Sequence, residues 1–425
     1  MYIFRLSVVG GTIVEGPSDT KELTVADNSS NVPDFSRRRG WPERFPVSGA
    51  WTPGDPVGAR QFHELTRPLA LEGGGVLHDV TLAYETWGSL NDAADNAILV
   101  CHALTGDSHV TGGGGGTYTD EGWWSRIVGP GLAIDTDEYF VVCANVLGGC
   151  QGSTGPASIN PRTGKQYGSS FPQISTRDIV RSQICLGELL GVERWFSVIG
   201  GSMGGMAVLE WAAMYPDQVR SIAPIATALA ASPQQIAWSA VGRLTIANDP
   251  HFNNGDYYDQ TDGPGRGLAI AREIALIHYR SDAEWTERFG RDPLDRLDRF
   301  DAWGRFMVES YLDHHGRKFP SRFDANSYIV LNRAMDLHDV GRGRGGAAKA
   351  LAAFEGPSMT VSVSTDFLYP AYQQAELAHA LTTNGRSCAH HMIESVYGHD
   401  GFLVEHDKLA PLLTDFFDKV RVETA

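Results

Sequence analysis

A serine flanked by glycines stands at Ser202, in the run Val198-Ile199-Gly200-Gly201-Ser202-Met203-Gly204-Gly205-Met206. An apolar run, a Gly-x-Ser-x-Gly turn and an apolar helical pattern, in that order, predict a nucleophile elbow. Such a turn is so sharp that side chains beside the serine would strike the adjoining strand and helix. The serine itself is held in a strained backbone conformation that lifts its hydroxyl. The helix N-terminus just beyond favours developing negative charge. A serine hydroxyl is a weak nucleophile at neutral pH, so it needs a base and an orienting acid. Around an elbow these follow the serine as acid, then histidine, each in a loop after a strand. Asp366, in Ser364-Thr365-Asp366-Phe367-Leu368-Tyr369-Pro370, and His399, in Tyr397-Gly398-His399-Asp400-Gly401-Phe402, meet both conditions. The oxyanion would be held by the N–H of Met203 and by one from Cys101-His102-Ala103-Leu104-Thr105-Gly106-Asp107, at Leu104 with Thr105 as the alternative.

The elements that must position these groups are legible as an alternation. Short apolar runs at 97–101, 139–143 and 195–199 suit buried parallel strands, and 221–226, 359–364 and 391–396 read as further short strands. Residues 75–86 alternate weakly, as antiparallel strands at a sheet edge do. Residues 176–190 place Ile179, Val180, Ile184 and Leu189 on one helical face and lead into the elbow strand. This rhythm predicts an α/β fold with a mostly parallel sheet covered on both faces. Between 229 and 350 it gives way to helical patterns rich in Trp, Tyr, Asp and Arg. The predicted organisation is therefore a flexible N-terminal extension over 1–50, a core over 51–228 and 351–425, and a helical lid inserted over 229–350. The glycine run at 112–116 reads as a flexible surface loop.

Composition narrows the partners. With 35 basic and 51 acidic residues the formal charge is −16, which disfavours nucleic acid. The five cysteines lack paired spacing and suit a reducing cytoplasm. No motif predicts a metal site, His314-His315 and His390-His391 included, and no apolar run is long enough to span a membrane.

Several motifs together resemble the homoserine O-acetyltransferase family. They are His102-Ala103-Leu104-Thr105-Gly106-Asp107, Asn145-Val146-Leu147-Gly148-Gly149-Cys150-Gln151-Gly152-Ser153-Thr154-Gly155-Pro156, the elbow, Asp324-Ala325-Asn326-Ser327-Tyr328, and Tyr397-Gly398-His399-Asp400-Gly401-Phe402-Leu403. The stretch His338-Asp339-Val340-Gly341-Arg342-Gly343-Arg344-Gly345-Gly346 is similar to the actinobacterial branch. The resemblance runs from about residue 60 to the C-terminus. It implies an α/β-hydrolase fold and transfer of an acetyl group from the co-substrate acetyl-CoA to the hydroxyl of L-homoserine, in methionine biosynthesis. It also implies a homodimer without metal or resident cofactor. Ser202, Asp366 and His399 take the catalytic positions. Arg272, Tyr279, Asp400 and Thr105 would bind the amino acid, Arg272 forking onto its carboxylate and Asp400 accepting from its ammonium. Arg177, Arg181, Arg342 and Arg344 are candidates for binding CoA, with a solvated surface role for each as the alternative. Serine O-acetyltransferase, homoserine O-succinyltransferase, esterase and non-catalytic binding readings remain open, because one methylene in an acceptor is discriminated by only about 1–3 kcal/mol.

Overall fold

The computed structural model describes residues 40–113, 121–294, 304–383 and 385–424. Eight strands among them form one sheet: β1 (Gln61–Glu64), β2 (Thr81–Trp87), β3 (Ala97–Cys101), β4 (Phe140–Ala144), β5 (Ser197–Gly201), β6 (Ile222–Ile225), β7 (Ser358–Val363) and β8 (Cys388–Ile393). Their spatial order is β1-β2-β4-β3-β5-β6-β7-β8. Only β2 runs against its neighbours; the other pairings are parallel. Parallel neighbours require crossovers, and the helices of those crossovers cover both faces.

Period-two alternation divides the central strands between two cores. Leu99 and Cys101 of β3 join Val142 and Val198 on one face, under α1 (Thr176–Leu190) and α2 (Met203–Met214). Ile98 and Val100 join Val141, Cys143 and Ile199 on the other. There Leu409, Leu413, Phe416 and Phe417 of the C-terminal helix His406–Thr424 close the layer. Helix α1 starts with a capping box: the Ser175 hydroxyl accepts from the Asp178 N–H, and the Asp178 carboxylate accepts from the Ser175 N–H at 2.9 Å. It stops at Gly191 in the left-handed region, φ 73°.

The chain leaves the sheet after β6 and returns at β7. Between them lie α3 (Pro233–Ala247), α4 (Gly265–Tyr279), α5 (Asp282–Phe289), α6 (Met307–Lys318) and α7 (Ala325–Asp336). Several predicted strand limits shift, and the last strand begins three residues early, at Cys388. The elbow strand begins at Ser197, and Trp195 instead bridges Val219. The last strand ends at Ile393, because Ser364 and Thr365 take over the backbone of Ser395 with their hydroxyls, at 3.1 and 2.7 Å.

The expected flexible extension also ends earlier than residue 50. Phe45 is buried against Gly265, where a Cβ would enter its ring. The Ser48 hydroxyl donates to Asp324 at 2.8 Å, and the Gly49 N–H to the Phe323 carbonyl at 3.3 Å. Residues 1–39 lie outside the described residues, as do 114–116 of the glycine run.

Candidate active site

Ser202 sits between β5 and α2 with φ 57° and ψ −124°, a conformation that costs a non-glycine residue about 1–3 kcal/mol. Its surroundings fix it there. Its N–H donates to the Ile225 carbonyl at 2.9 Å, and its carbonyl accepts from the Thr227 hydroxyl at 2.9 Å. The glycines around it answer to close approach. A Cβ on Gly200 would stand 2.6 Å from the Cys101 carbonyl oxygen, and one on Gly204 would strike the same carbonyl. One on Gly201 would enter the ring of Phe402. The elbow is thus wedged between the end of β3 and the histidine loop.

The sequence separates Ser202, Asp366 and His399 widely, and the fold brings them into one hydrogen-bonded line. His399 Nε2 lies 2.9 Å from Ser202 Oγ, and His399 Nδ1 lies 2.7 Å from Asp366 Oδ2. All three are at least 95% buried. Asp366 Oδ1 accepts from the N–H groups of Leu368 and Tyr369 at 2.9 and 2.8 Å, so the carboxylate has no freedom to rotate away. Tyr279, Tyr369 and Phe402 surround the imidazole, with ring centroids 5.7, 5.1 and 5.3 Å from its own. Gly398, at φ 61°, lets the histidine loop close on α4: a Cβ there would stand 2.7 Å from the Tyr279 carbonyl.

The N–H groups of Met203 and Leu104 donate to no protein acceptor among the described residues. The loop carrying Leu104 is held from beneath and from above. Buried His102 accepts from the Val146 N–H at Nε2, 3.0 Å, so its Nδ1 is the donor to the Ala103 carbonyl at 2.7 Å. Burial pushes the His102 imidazole down from its ordinary pKa and keeps that tautomer neutral. From the insertion, Arg322 donates to the Thr105 carbonyl at 2.7 Å and to the Asp107 carboxylate at 2.6 Å. Its own carbonyl accepts from Gln151, which accepts in turn from Arg60.

Above Ser202 lies a pocket with a cavity volume of about 30 Å³. Leu104, Leu368 and Tyr369 from the core form its floor, and strips of α3, α4 and α7 form its walls. The strips carry Gln235, Trp238 and Ser239; Ile274, His278 and Tyr279; and Tyr328, Asn332 and Asp336. Their spacing of three or four residues keeps each strip on one helical face. Of the predicted amino-acid-binding residues, Tyr279 is on this wall, while Arg272, Asp400 and Thr105 are not. Arg272 stacks its guanidinium over Tyr279 and Phe319, 5.9 and 5.3 Å from their centroids, and pairs with no carboxylate among the described residues. Asp400 already faces Arg280 at 3.3 Å. Burial raises the Asp400 carboxyl above its ordinary pKa while Arg280, His399 and Arg272 oppose the rise. Burial raises the Tyr279 phenol to about 12, so it stays a neutral donor.

An α/β-hydrolase family model matches residues 96–406. A homoserine O-acetyltransferase of Thermobifida fusca is 54% identical over 372 residues, covering 87% of this chain and 97% of its own. One from Moorella thermoacetica is 49% identical over 86% of this chain and 97% of its own. The chain belongs to the homoserine O-acetyltransferase family. The crystal structure of the Bacillus anthracis homoserine O-acetyltransferase superposes with a TM-score of 0.79 at 26% identity, over 85% of this chain and 97% of that one. Esterase E22 superposes with 0.78 at 27% identity, over 85% and 100%, so the same frame also carries proteins named as hydrolases.

The homoserine O-acetyltransferase motifs divide into chemistry and architecture. Asp324 is fully buried, caps α7 through the Ser327 N–H at 2.9 Å, and accepts from Tyr257, Tyr258 and Ser48. Ser153 and Thr154 accept from the N–H groups of Ala83 and Thr81, at 2.9 and 2.8 Å, and so extend pairing along β2. The four arginines put forward for CoA are engaged elsewhere. Arg177 bridges Glu72 and Glu210, Arg342 reaches Glu72, Arg344 reaches Glu210, and Arg181 pairs with Asp178. Arg177, Arg342 and Arg344 tie α1 and α2 to the loop after α7, Arg177 and Arg344 largely shielded from solvent and Arg342 partly exposed. Sequence reasoning missed Arg322, Trp238 and His278. Tyr369 carried a signal, being three residues after the acid.

Proposed function

We propose that the protein transfers an acetyl group from acetyl-CoA to the side-chain hydroxyl of L-homoserine through an acetyl-Ser202 intermediate. The observation that carries this reading is the Ser202–His399–Asp366 line at 2.9 and 2.7 Å beneath a pocket walled by the insertion's helices. Ser202 Oγ attacks the thioester carbonyl while His399 Nε2 takes its proton. The N–H groups of Met203 and Leu104 hold the oxyanion. The C–S bond breaks and His399 returns the proton to the thiolate. Homoserine then enters, His399 takes the proton of its hydroxyl, and that oxygen attacks the acetyl carbon. When the tetrahedral intermediate collapses, Ser202 leaves and regains its proton from His399. Each oxyanion donor contributes about 3–4 kcal/mol to such a step.

Arg272, with no competing carboxylate, takes the acceptor's carboxylate, and Asp400 shares its charge between Arg280 and the ammonium. Water outnumbers homoserine, so the transferase depends on exclusion of solvent by the insertion. Val241, Leu244 and Ile277 are 49, 58 and 44% exposed on α3 and α4, an apolar face that suits the homodimer implied by the family. No helix among the described residues is long and apolar enough to cross a membrane.

The test is a panel of acetyl-CoA and succinyl-CoA against homoserine, serine and water. Acetyl-CoA with homoserine gives the highest kcat/KM, and peptide mapping after acetyl-CoA alone finds the acetyl group on Ser202. A clear win for succinyl-CoA, serine or water overturns the assignment.

A further inference from the structure

The wall of the pocket contains two nitrogen-bearing rings with nothing to bond to. His278 is 8% exposed, and its buried Nδ1 has no hydrogen-bond partner among the described residues. The indole N–H of Trp238 is buried and unpartnered as well. The two rings face each other across α3 and α4, with centroids 5.3 Å apart. Buried polar groups are nearly always paired, because each unpaired one is costly. Two adjacent exceptions on the wall above a nucleophile mark the place of a ligand's polar group.

The chemistry of the pair selects that group. An indole N–H only donates. A neutral imidazole donates at one nitrogen and accepts at the other. His278 is neutral throughout the working range, because burial, helped by His399 and Arg272, lowers it to about 3. The lining mixes apolar Ile274, Met335, Leu368 and Ala231 with the neutral Gln235, Ser239 and Asn332, and Asp336 is already paired with Arg243, which favours a neutral partner here. The matching group is therefore neutral, with an acceptor and a donor side by side: a secondary amide. The amino-acid acceptor has none. An acyl-pantetheine thioester has one, two methylenes from its sulfur.

The geometry points to Trp238 and His278 as the subsite for the first amide of the thioester donor, the amide carbonyl accepting from Trp238 Nε1 and the amide N–H donating to His278. This inference rests on the acetyl-transfer reading above. It assigns the α3–α4 wall to the donor and leaves the acceptor to Arg272.

Two small donors separate the cases: S-acetyl-N-acetylcysteamine, which carries the amide, and S-acetyl-2-mercaptoethanol, which does not. Thiol release in the full-length protein gives kcat/KM for each. The wild-type protein prefers the amide donor by about 10-fold or more, as two neutral hydrogen bonds allow. His278→Phe and Trp238→Phe each keep an aromatic ring without the polar nitrogen, and each lowers that preference about 3–10-fold, with the two together bringing it near one. Because the readout is a ratio within one preparation, partial misfolding does not move it. A ratio that keeps its wild-type value in both variants overturns the subsite, as does a loss that appears only in KM for homoserine. A wild-type protein that releases thiol from neither donor, nor from acetyl-CoA, contradicts the acetyl-transfer reading itself.

Discussion

At the strand ends the functional side chains are already engaged with one another. Asp366 accepts from two N–H groups and an imidazole, and His399 bonds at both nitrogens. On the insertion, the pocket-facing Trp238 Nε1 and His278 Nδ1 have no such partners among the described residues, and Arg272 lies over two rings without pairing with a described carboxylate. The difference separates two tasks. Chemistry needs groups fixed before substrate arrives, so the sheet supplies strained, close-packed turns. Recognition needs groups left wanting, so the helices carry polar atoms that a ligand completes. The two regions meet at Arg322, whose fork reaches from the insertion to the loop bearing Leu104.

The division can be broken most severely on the sheet side. Asp366→Asn keeps the shape of the acid but no longer orients His399, and kcat falls by about 10⁴. Stopped-flow measurement of acetyl-enzyme formation checks this; a loss under tenfold contradicts the assigned role. On the insertion side, Arg272→Ala raises KM for homoserine by about 10²-fold while the donor half-reaction suffers far less. A comparable loss in both half-reactions removes the distinction between the regions. At their junction, Arg322→Ala lowers kcat by about 10-fold with little change in KM, and Arg322→Lys recovers part of it. Steady-state kinetics at saturating donor decide this, and an unchanged kcat removes Arg322 from the positioning of Leu104.

The smallest effect concerns stability. His338 is buried, donates Nε2–H to the Ala228 carbonyl at 2.9 Å, and is lowered by burial to about 4. The unfolded chain protonates this imidazole near pH 6.5 and the folded chain does not, so its contribution is whole above that pH. It is lost as pH falls from about 6.5 toward 4, by up to about 1.4 kcal/mol per pH unit. His338→Gln keeps a donor without a titrating ring, and it flattens the dependence of denaturant midpoint on pH across that window. An unchanged slope contradicts the assignment.

The central strands were legible because they are buried on both faces and read as unbroken apolar runs, as in Ala97–Cys101. The elbow, the acid and the histidine were legible because each follows a stretch that reads as a short strand. Strand ends were less so: the hydroxyls of Ser364 and Thr365 end pairing at a point that hydrophobicity does not record. The insertion resisted further. Trp238 and His278 look like ordinary amphipathic-helix residues, and only the crossing of α3 and α4 brings their rings together. Arg322 has no local signal at all, since its partners lie more than 200 residues earlier. The segment before β1 looked polar and loose, yet Phe45 and Ser48 are tied to α4 and Asp324.

The pairing of Arg177, Arg342 and Arg344 with Glu72 and Glu210 has a kinetic corollary. Positive charge that neutralises internal carboxylates no longer beckons to ligands at long range. Under the proposed acetyl-CoA reading, the polyanionic donor approaches a molecule of formal charge −16 against an opposing field. Its encounter rate is set by how well the ionic atmosphere hides that field, so added salt speeds capture where most phosphate-binding proteins are slowed by it.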